Sequence, residues 1–314
     1  MITNYDKVRI GMAMSGWPFP NNDPSQLGDY VTEMEKLDID SLWFTDRIVS
    51  ETFALETVVA MSFVAALTEK LKFGTSVIGL PLRNPTVLAK EIATLDYLSN
   101  GRSLPAVGLG PETENDYEAC GTEKKSRVGR TEEAVEIMRL LWSGNNVSYK
   151  GNHFTLNNIS IEPKPVQKNL PPIWFGGRSE PALNRTAKIG DGWLVSYATA
   201  EEVSMSIPKI KARALDFGNH IEEDHYGALI SFCFADTRKE AEQLASKHNI
   251  IRRQDVDLKD VTAFGPPDIL VELLDNFIEA GATKFTLRSA CPAEMTFDQM
   301  RLLGKYIVPR YHSG

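Results

Sequence analysis

The feature that most constrains the fold of this chain is an alternation of short apolar runs with helical patterns along almost the whole sequence. Eight apolar runs are predicted as strands: Lys7–Ser15, Ser41–Asp46, Leu71–Val77, Ser103–Gly110, Pro172–Gly177, Trp193–Tyr197, Leu229–Ala235 and Thr283–Arg288. This alternation implies parallel strands joined by right-handed crossovers. Eight such units in about 300 residues favour a closed α/β (β/α)8 TIM barrel. An open doubly wound sheet is the alternative, but no GxGxxG turn follows the first strand.

The stretch that begins at Gly74 carries the clearest helix signals in the chain. Asn84 and Pro85 fit the N-cap and the first helical position, because asparagine accepts an orphan backbone N–H and proline has none. We therefore predict a helix over Pro85–Leu98, with Gly101 as its stop.

Two segments interrupt the alternation. The first follows a helix predicted over Thr131–Trp142 with Thr131 as its cap, and residues 145–170 are predicted to be an insertion after the fourth strand. A polar stretch at about 250–264 is predicted to be a second insertion, after the seventh strand. We expect residues 1–314 to form one barrel domain, because α/β barrels commonly occupy this length.

The composition limits the classes of partner. The chain has 314 residues, 42% hydrophobic and 24% charged, with a formal net charge of -8. A basic face for nucleic acid is therefore not expected. The three cysteines have no CxxC spacing, which fits a reducing compartment. We find no secretory signal and no window with the ~18 apolar residues of a membrane helix, so a cytoplasmic protein without a membrane partner is expected.

In a barrel of this kind the active site lies at the carboxyl ends of the strands. The predicted ends carry Ser15, Asp46, Arg47, Ser76, Val77, Leu109, Gly110, Gly176, Gly177, Tyr197 and Arg288. Lysine and paired histidines are missing from this set, which disfavours a Schiff-base aldolase and a catalytic metal. Polar side chains without such strongly reactive groups suit a site in which a bound cofactor supplies the reactive group. An isomerase or aldolase on the same barrel is the weaker alternative, because fold alone does not decide function.

A second candidate feature is Gly176-Gly177-Arg178-Ser179, between a predicted strand and a predicted helix. Two glycines let backbone N–H groups approach an anion, and a helix N-terminus favours negative charge. These residues are therefore a candidate phosphate site, and an ordinary tight turn is the competing interpretation. For Asp46 and Arg47 the competing interpretation is an ion pair at the end of the strand.

Taken together, these motifs resemble the bacterial-luciferase-like superfamily of flavin and deazaflavin oxidoreductases. The matching segments cover most of residues 1–200 in order: SLWFTDR, LKFGTSVIGLPLRNPTVLAKEIATLDYLSNGR, VGLG, EEAVEIMRLLWSG, YKGNHFTL, PPIWFGGRSEPAL and GDGWL. The C-terminal third matches more loosely, through AFGPPDILVELLDNFIEAGATKFTLR. The resemblance implies a TIM-like barrel that binds coenzyme F420 or FMN at its carboxyl face. It also implies a small-molecule substrate and a homodimer.

The resemblance assigns cofactor-binding residues as well. In this family a bulge after the third strand lies behind the cofactor ring and often contains a non-proline cis peptide bond. By position, that bond would be Ser76–Val77 in this chain. Asp46 matches the aspartate of the second strand that touches the ring. The family's phosphate region matches Gly176, Gly177, Ser179 and Glu180. The predicted cofactor-binding set is completed by Arg178, Leu109 and Gly110.

Two positions depart from the pattern of the family's deazaflavin-dependent dehydrogenases. Those enzymes usually have histidine where this chain has Arg47, and glutamate directly after the glycine of strand four, where it has Pro111 and then Glu112. Arginine does not deprotonate near neutral pH, so Arg47 is not a general acid or base. Arg47 and Glu112 are nevertheless the predicted catalytic residues. The guanidinium would polarise a carbonyl, bind an anionic substrate or stabilise a reduced ring.

Two cofactor assignments therefore stay open. The GTSV strand end followed by LPLRNP favours F420 and hydride transfer, whereas Arg47 favours FMN and monooxygenation. The non-enzymatic alternative is a barrel that binds either cofactor without turning over a substrate.

Overall fold

The computed structural model describes residues 8–248 and 253–312. The strands of this part of the chain are β1 (Arg9–Met14), β2 (Ser41–Phe44), β3 (Lys72–Thr75), β4 (Ile78–Gly79), β5 (Ser103–Leu104), β6 (Ala106–Gly108), β7 (Val147–Lys150), β8 (Thr155–Ile159), β9 (Trp174–Phe175), β10 (Gly192–Ser196), β11 (Tyr226–Phe234), β12 (Thr262–Gly265) and β13 (Lys284–Ser289). Its helices are α1 (Ser25–Lys36), α2 (Thr57–Leu67), α3 (Pro85–Leu98), α4 (Asn115–Ala119), α5 (Arg127–Ser143), α6 (Glu180–Ile189), α7 (Ala200–Asp216), α8 (Arg238–Ala245), α9 (Pro267–Glu279), α10 (Thr296–Tyr306) and α11 (Val308–Tyr311).

The parallel strands close into a ring. From β1 the pairing runs through β2 to β3 in one direction, and through β13, β11, β10 and β9 to β6 in the other. β3 pairs with β5, and β4 pairs with β6. β3 and β4 follow each other in the chain, and together they form one interrupted strand of the wall. β5 and β6 form the neighbouring interrupted strand in the same way. The predicted (β/α)8 TIM barrel is confirmed.

A side chain joins the two interrupted strands at the break. Pro105, between β5 and β6, has no backbone N–H to give to the ladder. The hydroxyl of Thr75 donates to the carbonyl of Ala106 at 2.6 Å and accepts the N–H of Ala106 at 2.9 Å. The third and fourth strands of the wall thus stay connected where the ladder is interrupted.

Two apolar layers lie on the two sides of the barrel wall. Alternation along β1 directs Ile10 and Met12 toward the helices and Ala13 toward the barrel interior. The interior layer is made of Ala13, Trp43, Ala106, Trp174, Leu194 and Leu229, with Val77 packed against it. The floor beneath the mouth of the barrel is therefore apolar.

The amino-terminal end of the barrel holds a buried charge cluster. Lys284 donates to Asp40 in a short contact, and Lys72 Nζ lies 2.9 Å from Asp40 Oδ1. Burial raises the pKa of Asp40, but the two ammonium groups outweigh this effect and hold the pKa below its ordinary value. Asp40 is therefore ionised at neutral pH.

The predicted helix over Pro85–Leu98 is confirmed as α3. Asn84 Oδ1 accepts the N–H groups of Thr86 and Val87, as expected of an N-cap. Gly101 follows the helix with a φ of 82°, a left-handed value that glycine adopts without strain.

The predicted cap at Thr131 is wrong. α5 begins at Arg127, and the hydroxyl of Thr131 bonds back to the carbonyl of Arg127 at 2.8 Å, inside the helix. A threonine that satisfies its hydroxyl in this way is tolerated within a helix, so residue type alone did not locate the start.

The first predicted insertion contains the antiparallel hairpin β7–β8. Residues 250–252 of the second lie outside the described residues. The remainder includes β12, which pairs in parallel with the carboxyl half of β11. In the described ranges no helix is both long enough and apolar enough to span a bilayer.

Candidate active site

A cleft of ≈ 910 Å³ opens at the carboxyl ends of the barrel strands. The predicted site residues that line it are Asp46, Arg47, Ser76, Val77, Leu109, Gly110, Glu112, Gly176, Gly177 and Ser179. Strand ends that are distant in sequence therefore meet at one mouth, as a parallel barrel requires.

The back of the cleft is the bulge between β3 and β4. The peptide bond between Ser76 and Val77 is cis, which confirms the predicted bond. The side chain of Val77 occupies space left by two glycines. A Cβ atom at Gly108 would lie 2.7 Å from Cγ2 of Val77, and one at Gly176 would lie 3.3 Å from Cγ1. Gly108 was not among the predicted site residues, because a glycine within a strand gives no sign of what lies opposite.

Ser76 presents an unused polar atom at this wall. Its N–H donates to the carbonyl of Phe44 at 2.7 Å, but its buried hydroxyl oxygen has no hydrogen-bond partner among the described residues. Buried polar atoms usually have a partner, so this hydroxyl marks a position where a bound group would form one.

Asp46 anchors the bulge from behind. Its side chain is 2% exposed, and Oδ2 accepts the N–H of Gly79 at 3.0 Å. Oδ1 accepts from Arg83 Nη2 at 2.7 Å and from Thr57 Oγ1 at 3.1 Å. Burial lowers the pKa of Arg83, but Asp46 and Glu56 outweigh this effect and raise it. The predicted contact of Asp46 with a cofactor ring stays a prediction, and its observed contacts support the bulge.

The loop after β6 is held by Tyr117, which sequence reasoning missed. Its hydroxyl lies 2.6 Å from the carbonyl oxygen of Leu109 and 3.0 Å from that of Pro111. Gly110 has a φ of 82°, and a Cβ atom there would lie 2.9 Å from the Tyr117 hydroxyl. The close approach of Tyr117 therefore requires glycine at this edge of the cleft.

The other end of the cleft lies at the N-terminus of α6. Gly177 has a φ of 101°, and a Cβ atom there would lie 2.8 Å from that of Ala182. Ser179 is the N-cap, but its side chain makes no capping hydrogen bond. The first N–H groups of a helix have no partner within the helix and attract anions, so this end of the cleft suits a phosphate.

Arg185 reaches the same end from within α6 and was not predicted. It is 8% exposed and lines the cleft, and its Nε atom has no hydrogen-bond partner within the described ranges. Burial lowers its pKa, while Glu132 acts in the opposite direction. A buried guanidinium with an unused donor is a binding group for an anion. An arginine inside a helix gives no sequence signal of the side to which it points.

The two predicted catalytic residues lie at the rim of the cleft. Arg47 is exposed, and no residue of the described chain forms a hydrogen bond or ion pair with it. Glu112 is 76% exposed and contacts Arg127 Nη1 at 2.9 Å and Lys124 Nζ at 3.1 Å. Hydrogen bonds from Arg127 and Lys124 lower the pKa of Glu112, which suits it poorly to donating a proton near neutral pH. Both catalytic roles stay predictions.

Two predicted cofactor-binding residues are directed away from the cleft. Arg178 Nη1 donates to the carbonyl of Tyr197 at 3.1 Å. Glu180 pairs with Lys209 at 2.8 Å and Arg213 at 2.5 Å, both on α7, and their hydrogen bonds lower its pKa to about 2. Neither residue lines the cleft, whereas Gly177, Ser179 and Arg185 line the end that suits a phosphate.

Curated relatives include enzymes that use each of the two cofactors. An F420-dependent glucose-6-phosphate dehydrogenase of Kineococcus radiotolerans is 29% identical over 199 residues, covering 61% of this chain and 57% of that enzyme. An FMNH(2)-dependent dimethylsulfone monooxygenase of Pseudomonas putida is 27% identical over 213 residues, 67% of this chain and 56% of that enzyme. The chain thus spans less than two thirds of the length of these relatives.

Solved structures support the fold. An F420-dependent secondary alcohol dehydrogenase, in complex with an F420-acetone adduct, superposes with a TM-score of 0.80. The match covers 98% of this chain and 99% of that one at 21% sequence identity, so it is evidence for the fold alone.

The family model described as luciferase-like monooxygenase matches residues 8–286. This range contains the bulge, the glycine turn at α6 and most of the barrel strands. The chain therefore belongs to the luciferase-like monooxygenase family.

Proposed function

We propose that this protein is an F420-dependent oxidoreductase that transfers a hydride between the deazaflavin and a small organic substrate. The observation that carries the proposal is a single cleft with an apolar wall at Val77 and an anion-attracting end at Arg185. A planar ring with a phosphate-bearing side chain needs both features. At ≈ 910 Å³ the cleft is within the range of cofactor pockets.

The residues present fit such a group. Val77 offers an apolar surface, and the free hydroxyl of Ser76 offers a hydrogen bond at the same wall. At the other end Gly177 allows close approach of the backbone, and Nε of Arg185 is an unused donor. The first pair would hold the ring, and the second would hold the phosphate.

The bound deazaflavin would supply the hydride chemistry, and the protein would supply orientation and charge. Arg47 would bind or polarise an electronegative group of the substrate, because it lies at the rim with its donors free among the described residues. Glu112, ionised beside Arg127 and Lys124, would keep the loop after β6 in place.

FMN-dependent monooxygenation is the second candidate, and Arg47 favours it. A permanent cation suits the negative charge of a reduced flavin better than it suits acid–base catalysis. F420 is preferred because the GTSV strand end resembles the deazaflavin enzymes. Arg127, which lines the cleft, and Lys124 share the single carboxylate of Glu112, which leaves one net positive charge at this border and favours a cofactor with an anionic tail.

A titration with each cofactor tests the proposal. We expect F420 to bind at micromolar concentration, with a change in ring absorbance and fluorescence, and FMN to bind at least about tenfold more weakly. Arg185→Gln should weaken F420 binding about 10- to 100-fold, because the phosphate loses a charge-assisted hydrogen bond. Arg301→Gln removes an exposed arginine on α10 that pairs with Glu33, and should leave the affinity unchanged.

The outcomes separate the candidates. Tight binding of FMN without binding of F420 would establish the second candidate, and binding of neither would exclude both. If F420 bound equally well to the Arg185→Gln variant, the assigned phosphate-binding end would be wrong. A barrel that binds without turnover would leave the ring absorbance unchanged in the presence of alcohols, aldehydes and organic acids.

We also propose that the protein is a homodimer. Val59, Phe63 and Leu67 form an exposed apolar stripe along α2, and Val87 and Leu98 are exposed on the adjacent α3. A clustered apolar surface of this kind is typical of protein–protein interfaces, which supports the dimer implied by the family resemblance.

A further inference from the structure

We propose that the substrate of this site is an organic anion, and that Arg288 binds its carboxylate or phosphate group. The inference deepens the proposed function and rests on it, because it names the substrate class of the same barrel mouth. Along β13, Phe285 and Leu287 face the helices. The alternate residues, which include Arg288 at the carboxyl end, therefore face the barrel interior.

Arg288 is held by neutral groups only. Its Nε and Nη2 atoms donate to Ser231 Oγ at 3.2 and 2.8 Å, and Nη2 also makes a short contact with the Tyr197 hydroxyl. Nη1 lies 3.5 Å from Ser15 Oγ. No carboxylate in the described ranges pairs with this half-buried guanidinium. A partly desolvated charge is usually matched by an opposite one, so the arrangement calls for an external anion.

The guanidinium is fixed before any ligand binds. Tyr197 has a φ of 55°, an uncommon conformation for a bulky residue. Its carbonyl accepts from Arg178 at 3.1 Å and from Arg253 at 2.9 Å, which holds this turn in place. The ring of Tyr197 then lies against Arg288, with 5.5 Å from the guanidinium carbon to the ring centroid. Preorganised donors of this kind bind an anion with little loss of side-chain freedom.

Arg288 borders the cleft that would hold the cofactor. Ser15 Oγ lies 3.0 Å from Thr45 Oγ1, and Thr45 lines the cleft. Leu229, which also lines the cleft, shares the inward face of β11 with Ser231. An anion on Arg288 would therefore occupy the same mouth, on the side formed by β1 and β13.

A pocket of ≈ 420 Å³ beside Arg288 indicates the kind of substrate body. Its lining includes Trp17, Phe53, Ala13 and Ala290. Trp17 and Phe53 have ring centroids 5.5 Å apart, which makes one wall of the pocket aromatic. The aromatic wall suits an aromatic body on the anion, and Lys247, which lines the same pocket, adds a second positive charge beside Arg288.

The test is a calorimetric titration with benzoate, phenyl phosphate and the neutral benzyl alcohol. Each is added to the protein with and without F420. We expect the wild type to bind benzoate or phenyl phosphate at least about tenfold more tightly than benzyl alcohol. The tighter of the two anions identifies the acid group that the site prefers.

Variants assign the effect to Arg288. Arg288→Gln should weaken anion binding about 10- to 100-fold, and Arg288→Lys should retain an intermediate affinity because the charge remains without its planar fork. F420 affinity should change less than about twofold in both variants, because the cofactor is held elsewhere. Arg301→Gln makes the same change of charge on the outer surface and should have no effect.

Several results would overturn the inference: equal binding of benzyl alcohol and the anions, no anion binding to the wild type, or full affinity in the Arg288→Gln variant. The comparison of the anions with benzyl alcohol uses the wild type alone. It therefore tests the preference for anions even if the Arg288→Gln variant fails to fold. Anion binding that depends on Arg288 in the absence of F420 binding would keep the anion site and reject the proposed cofactor. Binding of F420 without binding of either anion would keep the proposed cofactor and reject the anion site.

Discussion

At the scale of single residues, a side chain explains two of the glycines in the cleft. Gly108 and Gly176 have no positive φ, so backbone conformation does not demand glycine at either position. The side chain of Val77 favours glycine at both, because its Cγ2 and Cγ1 atoms lie 2.7 and 3.3 Å from the positions that Cβ atoms at Gly108 and Gly176 would take. The bulge and the strands opposite it are therefore fitted to each other by three residues that are far apart in the sequence.

Gly108→Ala tests this fit. The added methyl would lie 2.7 Å from Val77 Cγ2, so the bulge must move. We expect a loss of about 1–3 kcal/mol in the free energy of unfolding and at least about tenfold weaker cofactor binding, measured by urea denaturation and by ring fluorescence.

Two further variants control the prediction for Gly108. Adding Val77→Ala to Gly108→Ala should restore part of the stability, because it removes the clashing methyl groups. Gly28→Ala on α1 meets its nearest atom at 3.5 Å, an ordinary contact, and should leave cofactor binding unchanged. Unaltered cofactor affinity in the Gly108→Ala variant would show that the bulge is not the wall of the binding site.

At the scale of elements, prediction succeeded where the signal was local. α3 was predicted in full because asparagine, proline and glycine act on the backbone of their own helix. β12 was missed because a short strand after a polar stretch depends on a partner, and the length of β11 that provides one is a long-range feature. Local signals likewise did not show that α5 begins before Thr131.

The charge cluster that ties β13 to the segment before β2 gives a prediction at this scale. Lys284→Met would leave Asp40 buried with only the partly exposed Lys72, and we expect a loss of about 3–5 kcal/mol in the free energy of unfolding. The double variant Asp40→Leu with Lys284→Met should recover much of this loss, because it leaves no unpaired buried acid. Urea unfolding at neutral pH measures both changes.

The same cluster predicts a dependence on pH. The pKa of Asp40 is lowered in the folded state, so its stabilising contribution is complete above the ordinary carboxyl pKa of about 4 and is lost as the pH falls toward the folded-state value. The free energy of unfolding should therefore fall more steeply below about pH 5 in the wild type than in the double variant. Equal slopes for the two proteins would contradict this assignment.

At the scale of the whole molecule, the sequence predicted where the cleft lies better than which side chains line it. The carboxyl ends of the strands follow from the topology, and the predicted ends meet at one mouth. The direction of a side chain beyond a strand end depends on its neighbours. Lys209 and Arg213 draw Glu180 outward, whereas Arg185 extends into the cleft from a helix. Such directions are set by packing between elements, which spacing along one chain does not encode.

The proposed homodimer is the prediction for the whole molecule. Phe63→Glu places a charge in the centre of the exposed stripe on α2, and we expect it to convert a dimer into a monomer in light-scattering measurements. Phe217→Glu alters an exposed phenylalanine after α7, and should leave the dimer intact. A monomeric wild type at tens of micromolar, or equal dissociation by both variants, would refute the proposal.

The interruption of two neighbouring barrel strands has a consequence for how this protein can diversify. β3 pairs with β5 below the break and β4 pairs with β6 above it, and the Thr75 hydroxyl joins the two levels through Ala106. Neither level closes the barrel alone, because β5 and β4 are the two ends of the pairing order. The wall is continuous only through both levels. Substitutions in β4 and β6 that alter the cleft therefore also act on the wall of the barrel, so a change of specificity at this position is coupled to the stability of the fold.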